Sequence, residues 1–195
     1  MKPHIKMNPS LKKLLFWGVV LEAVIILVSY VVHQDYTETF RHAARYSGRL
    51  SAVVFLCAFY NYAKSFPSPL KTNLQLRNLL TLFAAVHLIH FVFLAMNMYL
   101  NALPVVPVKL VGGALAYVMI VMAPFKLHRL KYFWQLIYFY YVSLVMIITY
   151  IARIKGDFEG AEPFWGHYLA LGAFIFCSLI FSWRMRKSFL NSLNS

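Results

Sequence analysis

Acidic residues are what this chain has least of: six Asp and Glu stand against nineteen Lys and Arg in 195 residues. Charged residues of both signs make up 13% of the chain, against about 25% in a soluble domain. So few acids exclude a paired-carboxylate site, and neither a Ser-His-Asp order nor a phosphate-cradling glycine loop is present. Two cysteines are too few for a disulfide framework or a zinc site, and Cys57 and Cys177 read as small apolar fillers. The length holds one domain and leaves no room for a separate soluble catalytic module. Neither an internal repeat nor a low-complexity stretch breaks it. What remains is apolar: 61% hydrophobic residues, 17% aromatic, and a mean hydropathy of +0.64. This is the composition of a chain whose solvent is lipid.

Apolar runs near the ~20 residues that a helix needs to cross the hydrocarbon occur at 14–32, 47–63, 79–100, 107–124, 133–151 and 164–183. The expected fold is therefore all-α, a polytopic membrane protein built as a six-transmembrane-helix bundle over residues 1–195. The first run follows Lys2, Lys6, Lys12 and Lys13 but is too long for a signal core. It is also followed by no small-x-small cleavage site, and so reads as a retained span. Pro67, Pro69, Pro104, Pro107, Pro124, Gly156, Gly160 and Pro163 punctuate the connectors.

Alternate sides of six spans carry unequal positive charge. One side holds the four N-terminal lysines, Lys64, Lys71, Arg77, Lys126, Arg129, Lys131, Arg184, Arg186 and Lys187; the other holds Arg41, Arg45, Arg49, Lys109, Arg153 and Lys155. The second side also carries Asp35, Glu38, Asp157, Glu159 and Glu162. Positive loops stay in the cytoplasm, so both termini are expected there, in an integral protein of a bacterial inner (plasma) membrane. The excess of base is then accounted for by topology and by anionic-lipid contact, and no nucleic-acid partner is implied.

Polar groups within spans are costly and mark candidate sites. His87 and His90 lie three apart on the third span, hence on adjacent parts of one helix face, with His90 near mid-bilayer. Imidazoles there ligate a metal or haem iron, carry protons, or hydrogen-bond a neighbouring helix. Glu22, the only acid within a span, must face the bundle interior; His87 is one candidate partner, and a neighbouring Tyr, Asn or Ser is another. Arg45 and Arg49, where the second span meets the head groups, match an anionic group or else snorkel into solvent. His4, His33, His42, His128 and His167 read as interfacial and solvated. Gly112, Gly113 and Ala116 on span four, and Ala170, Gly172 and Ala173 on span six, offer small-residue strips for close helix approach. The fifth span, with Tyr132, Phe133, Trp134, Tyr138, Phe139, Tyr140 and Tyr141, reads as core plus interfacial belt.

The stretch Ala44-Arg45-Tyr46-Ser47-Gly48-Arg49-Leu50-Ser51 resembles the Arg-x-Thr-Gly-x-x-Ala pattern of the ferric-reductase-like transmembrane domain family. That family includes the membrane haem subunit of the methionine-sulfoxide repair system. The run from Leu76 to Ala84, followed by His87 and His90, is similar to the family's approach to a haem-ligating histidine. The segment Thr149 to Asp157 looks like its exit from a ligand-bearing helix. The resemblance implies a membrane electron-transfer subunit of an oxidoreductase holding haem b, fed by a flavoprotein or quinone. His90 or His87 would ligate the iron, and Arg45 or Arg49 would meet a propionate or a quinone head group. The chain departs from the family at span five, where Leu136 and Thr149 stand near the places of its histidines, and at Thr81, where the family has glycine. These departures feed a second expectation: a haem-free six-helix protein that binds a lipid or a partner membrane protein.

Overall fold

The computed structural model describes residues 9–65, 70, 73–104, 107–157 and 164–193, with side chains for all of these except 107–110 and 188–193. Lys2, His4, Lys6, Pro67, Pro69, Lys71, Glu159, Gly160, Glu162 and Pro163 lie outside the described residues. Six α-helices follow one another: α1 (Pro9–His33), α2 (Tyr36–Ser65), α3 (Leu74–Leu100), α4 (Pro107–Lys126), α5 (Tyr132–Lys155) and α6 (Trp165–Leu193). Among the described residues there is no strand.

Five of the helical segments are long and apolar enough to cross a membrane: Pro9–His33, Leu74–Leu100, Val111–Arg129, Tyr132–Lys155 and Trp165–Lys187. Their outer surfaces are correspondingly greasy; Leu27, Val32, Phe176, Leu179 and Trp183 are each more than 60% exposed. A water-soluble bundle would turn such side chains inward. The expected six helices are present, and α2 alone falls outside this set of five. Its polar residues interrupt the apolar run, and its apolar and small residues are inside: Ala52, Phe55, Ala58, Phe59, Tyr62 and Ala63 are buried. Packed against α1, α3 and α6, it is sheltered by its neighbours and does not need an apolar surface all round.

α2 also begins well before 47. Asp35 accepts a hydrogen bond from the Glu38 amide at 2.9 Å, the N-cap bond that starts a helix. Gln34, in the left-handed region at φ 50°, makes the tight reversal out of α1. The other α2 end is tied down by Arg184 of α6, which donates to the carbonyls of Ala63 (3.4 Å) and Lys64 (3.1 Å). Pro124 does not end α4; the helix runs two residues further and tightens into a single 3-10 turn over Leu127–Arg129.

Between α2, α3, α5 and α6 the interior is filled with rings. Phe55 lies 5.1 Å from Phe83, 6.1 Å from Phe139 and 6.0 Å from Phe174, measured between centroids. Tyr62 stacks on Phe139 at 4.2 Å. In lipid, helices are held together by contact of this kind and by polar links more than by apolar burial. Tyr138 and Phe139 are core, while Phe133 and Trp134 are exposed, so the aromatic span divides into core and belt. The small-residue strips behave differently from expectation. A Cβ added at Gly113 or Gly172 would meet nothing within 4 Å, whereas one at Gly18 of α1 would stand 2.6 Å from Leu82 Cδ1 of α3. Gly112 of the span-four strip does meet α5, accepting from the Tyr141 hydroxyl at 3.0 Å, and Ala116 is buried, but the tightest glycine approach across helices is at α1–α3.

Candidate functional site

α2 brings two polar sites together. The first is a seam between α1, α2 and α3. Ser47 donates to Glu22 Oε1 at 2.9 Å, and Glu22 is 1% exposed, with Oε2 meeting no partner among the described residues. One turn further along α2, Ser51 Oγ lies 2.6 Å from His87 Nδ1. Of the alternatives open for Glu22, the partner is thus a serine, and His87 is engaged elsewhere. His87 further stacks on Tyr117 of α4 at 4.5 Å and touches Phe83 at 5.1 Å.

His90 is 9% exposed and lies against α2, where its ring packs over Gly48. Its Nδ1 has no partner among the described residues. The charge of Arg153, in the last turn of α5, bears on it.

The second site only partly coincides with the sequence expectation. Arg45 and Arg49 lie one turn apart on α2, and their charges, with that of Arg153 of α5, bear on His167 of α6. The Arg49 guanidinium lies 5.1 Å from the centroid of the Tyr46 ring and 5.0 Å from that of Phe164. Phe164 in turn meets the His167 ring edge-on at 5.9 Å, and Tyr150 meets it from α5 at 6.1 Å. His167 is 4% exposed, neither ring nitrogen has a partner among the described residues, and the charges of Arg153, Arg49 and Arg45 all bear on it. Sequence placed His167 at a solvated interface; two flanking rings bury it instead. Arg153 was read only as a topology charge, and no pattern of spacing pointed to its joining Arg49.

A haem at the bundle centre requires a slot about as wide as the porphyrin and two axial ligands from facing helices. The residues present do not fit it. His87 Nδ1 is taken by Ser51, the His87 ring is covered by Tyr117, and the position nearest a span-five histidine is Thr149, whose hydroxyl donates to the Val145 carbonyl at 2.8 Å. The volume between α2, α3, α5 and α6 is occupied by Phe55, Phe83, Phe139 and Phe174. Among the described residues no group of three His, Cys, Asp or Glu side chains is placed to hold a metal ion. Cys57 and Cys177 are free thiols, Cys57 on the outer surface of the bundle rather than buried.

A guanidinium held between aromatic rings, with a buried imidazole on the far side of one of them, suits anion binding. Compared with protein-family models, with curated proteins and with solved structures, the chain matches none.

Proposed function

We propose that the chain is a six-span integral membrane protein, with α2 as the sheltered sixth span, that binds an anionic amphiphile and carries no haem. The observation that carries this reading is the Arg49 guanidinium 5.0 Å from the Phe164 ring, which in turn meets the buried His167 ring at 5.9 Å, with neither His167 ring nitrogen partnered among the described residues. In a medium where charge is expensive, a guanidinium held between aromatic rings suits a place where an anionic group meets it. A membrane supplies anionic head groups at this depth, and the exposed apolar flanks of α1 and α6 give their acyl chains a surface to lie along. On this reading the flavoprotein or quinone donor that the ferric-reductase-like resemblance implies has no acceptor here.

The test is a visible spectrum and a lipid inventory of the same preparation. Protein purified in mild detergent, after growth with excess haem precursor, is expected to show no Soret band and to retain an anionic lipid in native mass spectrometry. The Arg45→Ala and Arg49→Ala proteins are expected to lose that lipid. A Soret band abolished by His90→Ala would overturn the reading in favour of electron transfer, and equal lipid retention by the arginine variants would remove its anion site.

A further inference from the structure

We infer that Glu22 of α1 and His90 of α3 form an acid–imidazole pair, a proton-binding site inside the bilayer that stands apart from the anion site. The register of the helices brings the two residues to one level. Gly48 of α2 meets the ring of His90 and Ser51 meets that of His87, so α2 and α3 are antiparallel. α1, turned back into α2 at Gln34, is antiparallel to α2 as well, and α1 and α3 therefore run the same way. A Cβ at Gly18 of α1 would stand 2.6 Å from Leu82 Cδ1 and 3.3 Å from Val86 Cγ1 of α3. One turn further along both parallel helices come Glu22 and His90. They also rest on adjacent residues of α2: Glu22 accepts from Ser47 at 2.9 Å, and His90 lies over Gly48.

Hydrogen-bond accounting joins them. Glu22 is 1% exposed and His90 9%, and each keeps one heteroatom without a partner among the described residues, Oε2 and Nδ1 respectively. In lipid an ionised carboxylate calls for donors at both oxygens or for a cation. Ser47 is the one donor, and among the described residues no ion pair reaches Glu22. A neutral acid instead needs a donor at its carbonyl oxygen and an acceptor for its O–H. Ser47 serves Oε1, and the bare Nδ1 of a neutral imidazole is the acceptor left over for Oε2. The bond closes by rotation of the Glu22 side chain or across one water. Of the other titratable groups around the pair, His87 is bonded to Ser51 and stacked on Tyr117 of α4; Arg45, Tyr46 and Arg49 occupy the adjoining turns of α2, and the charge of Arg153 of α5 bears on His90. Passing the proton from Oε2 to Nδ1 moves no other atom and turns the neutral pair into an ion pair. In a low-dielectric interior the neutral form is the cheaper, so the carboxyl holds the proton.

The experiment is infrared spectroscopy of the full chain in phosphatidylcholine nanodiscs at pH 7, where a carboxyl in water, titrating at about 4.3, is ionised. The wild type is expected to show the C=O stretch of a neutral carboxylic acid above the amide I band, moved by 13C-glutamate labelling and absent from Glu22→Gln. His90→Leu is expected to shift that band, because the O–H loses its acceptor. His90→Asn, whose Oδ1 stands near the place of Nδ1, is expected to restore it. In 15N spectra of the wild type, His90 is expected to show an unprotonated Nδ1 that accepts a hydrogen bond, and Glu22→Leu to move it to the shift of a free nitrogen. Should a variant fail to fold, the labelled wild type carries the test of the acid by itself. Absence of an acid band that follows 13C-glutamate overturns the inference, and so does an imidazolium signal from His90. An acid band indifferent to both His90 variants overturns the pairing. None of these readouts depends on lipid retention, so the anion site stands or falls separately.

Discussion

Gly48 of α2 lies directly beneath the ring of His90 of α3: a Cβ at position 48 would stand 3.0 Å from Cε1 and 3.4 Å from Nε2. The ring has little room to retreat, since it is 9% exposed and lies 5.5 Å from the ring of His87 on its own helix. Glycine here serves close helix approach, and His90 serves as the lid of that contact. Gly48→Ala is therefore expected to destabilise the bundle by about 1–3 kcal/mol, the usual cost of overpacking a tight contact. His90→Ala should relieve it, so that the double variant is more stable than the sum of the two single losses predicts. Thermal unfolding of the four proteins in one detergent measures this; strict additivity would show that the contact is slack.

The Glu22–Ser47 bond gives a second expectation. Removing the hydroxyl with Ser47→Ala leaves a buried carboxyl without its donor, at a cost of about 1–3 kcal/mol. Glu22→Gln keeps an oxygen for Ser47 to donate to and is expected to cost clearly less. If the amide variant proves the less stable of the two, the carboxyl has another partner and the seam is not held by Ser47.

Depth was legible in the sequence and rotation was not. Residue counting along the spans put Glu22 and His87 at similar levels, but helix packing turned Ser47 toward the first and Ser51 toward the second. The start of α2 could have been read from Asp35 and Glu38, spaced as a capping pair, had the polar residues Arg41, His42 and Arg45 not masked the helix from a hydropathy reading. The site itself spans α2, α5 and α6, residues more than a hundred positions apart. Single-helix periodicity carries no information about such a meeting, which is why Arg45 and Arg49 were singled out while Arg153 and His167 were left as loop and interface residues.

At the α1–α2 turn, His33 and His42 stack with centroids 4.0 Å apart. Burial holds the His42 ring below its ordinary titration range; the charge of His33 pushes the same way, as do Arg45 and Arg41, with Glu38, 3.8 Å from Nε2, opposing. The folded chain thus binds this proton more weakly than the unfolded chain, and stability is lost as pH falls below about 6.5, where the unfolded histidine takes up its proton. The midpoint of unfolding in detergent is expected to drop between pH 7.5 and 5.5, and His42→Gln to flatten that slope. An unchanged slope would place the sensitivity elsewhere.

The charge asymmetry and the sheltered α2 together make one topological prediction. Tyr36, the exposed first residue of α2, and Leu130, between α4 and α5, are separated by α2, α3 and α4. Three crossings put them on opposite faces of the membrane; if α2 does not cross, two crossings put them on the same face. Positive charge is denser on the Leu130 side, where Lys126, Arg129 and Lys131 cluster, and the acids Asp35 and Glu38 are on the Tyr36 side. In a Cys57→Ala/Cys177→Ala background, Tyr36→Cys is expected to react with a membrane-impermeant maleimide in intact cells, and Leu130→Cys only after permeabilisation. The opposite pattern would invert the orientation and keep six spans. Labelling of both from outside, or of neither, would remove α2 from the membrane. The arginine site would then lose its place at the head groups, because Arg45 and Arg49 belong to that helix.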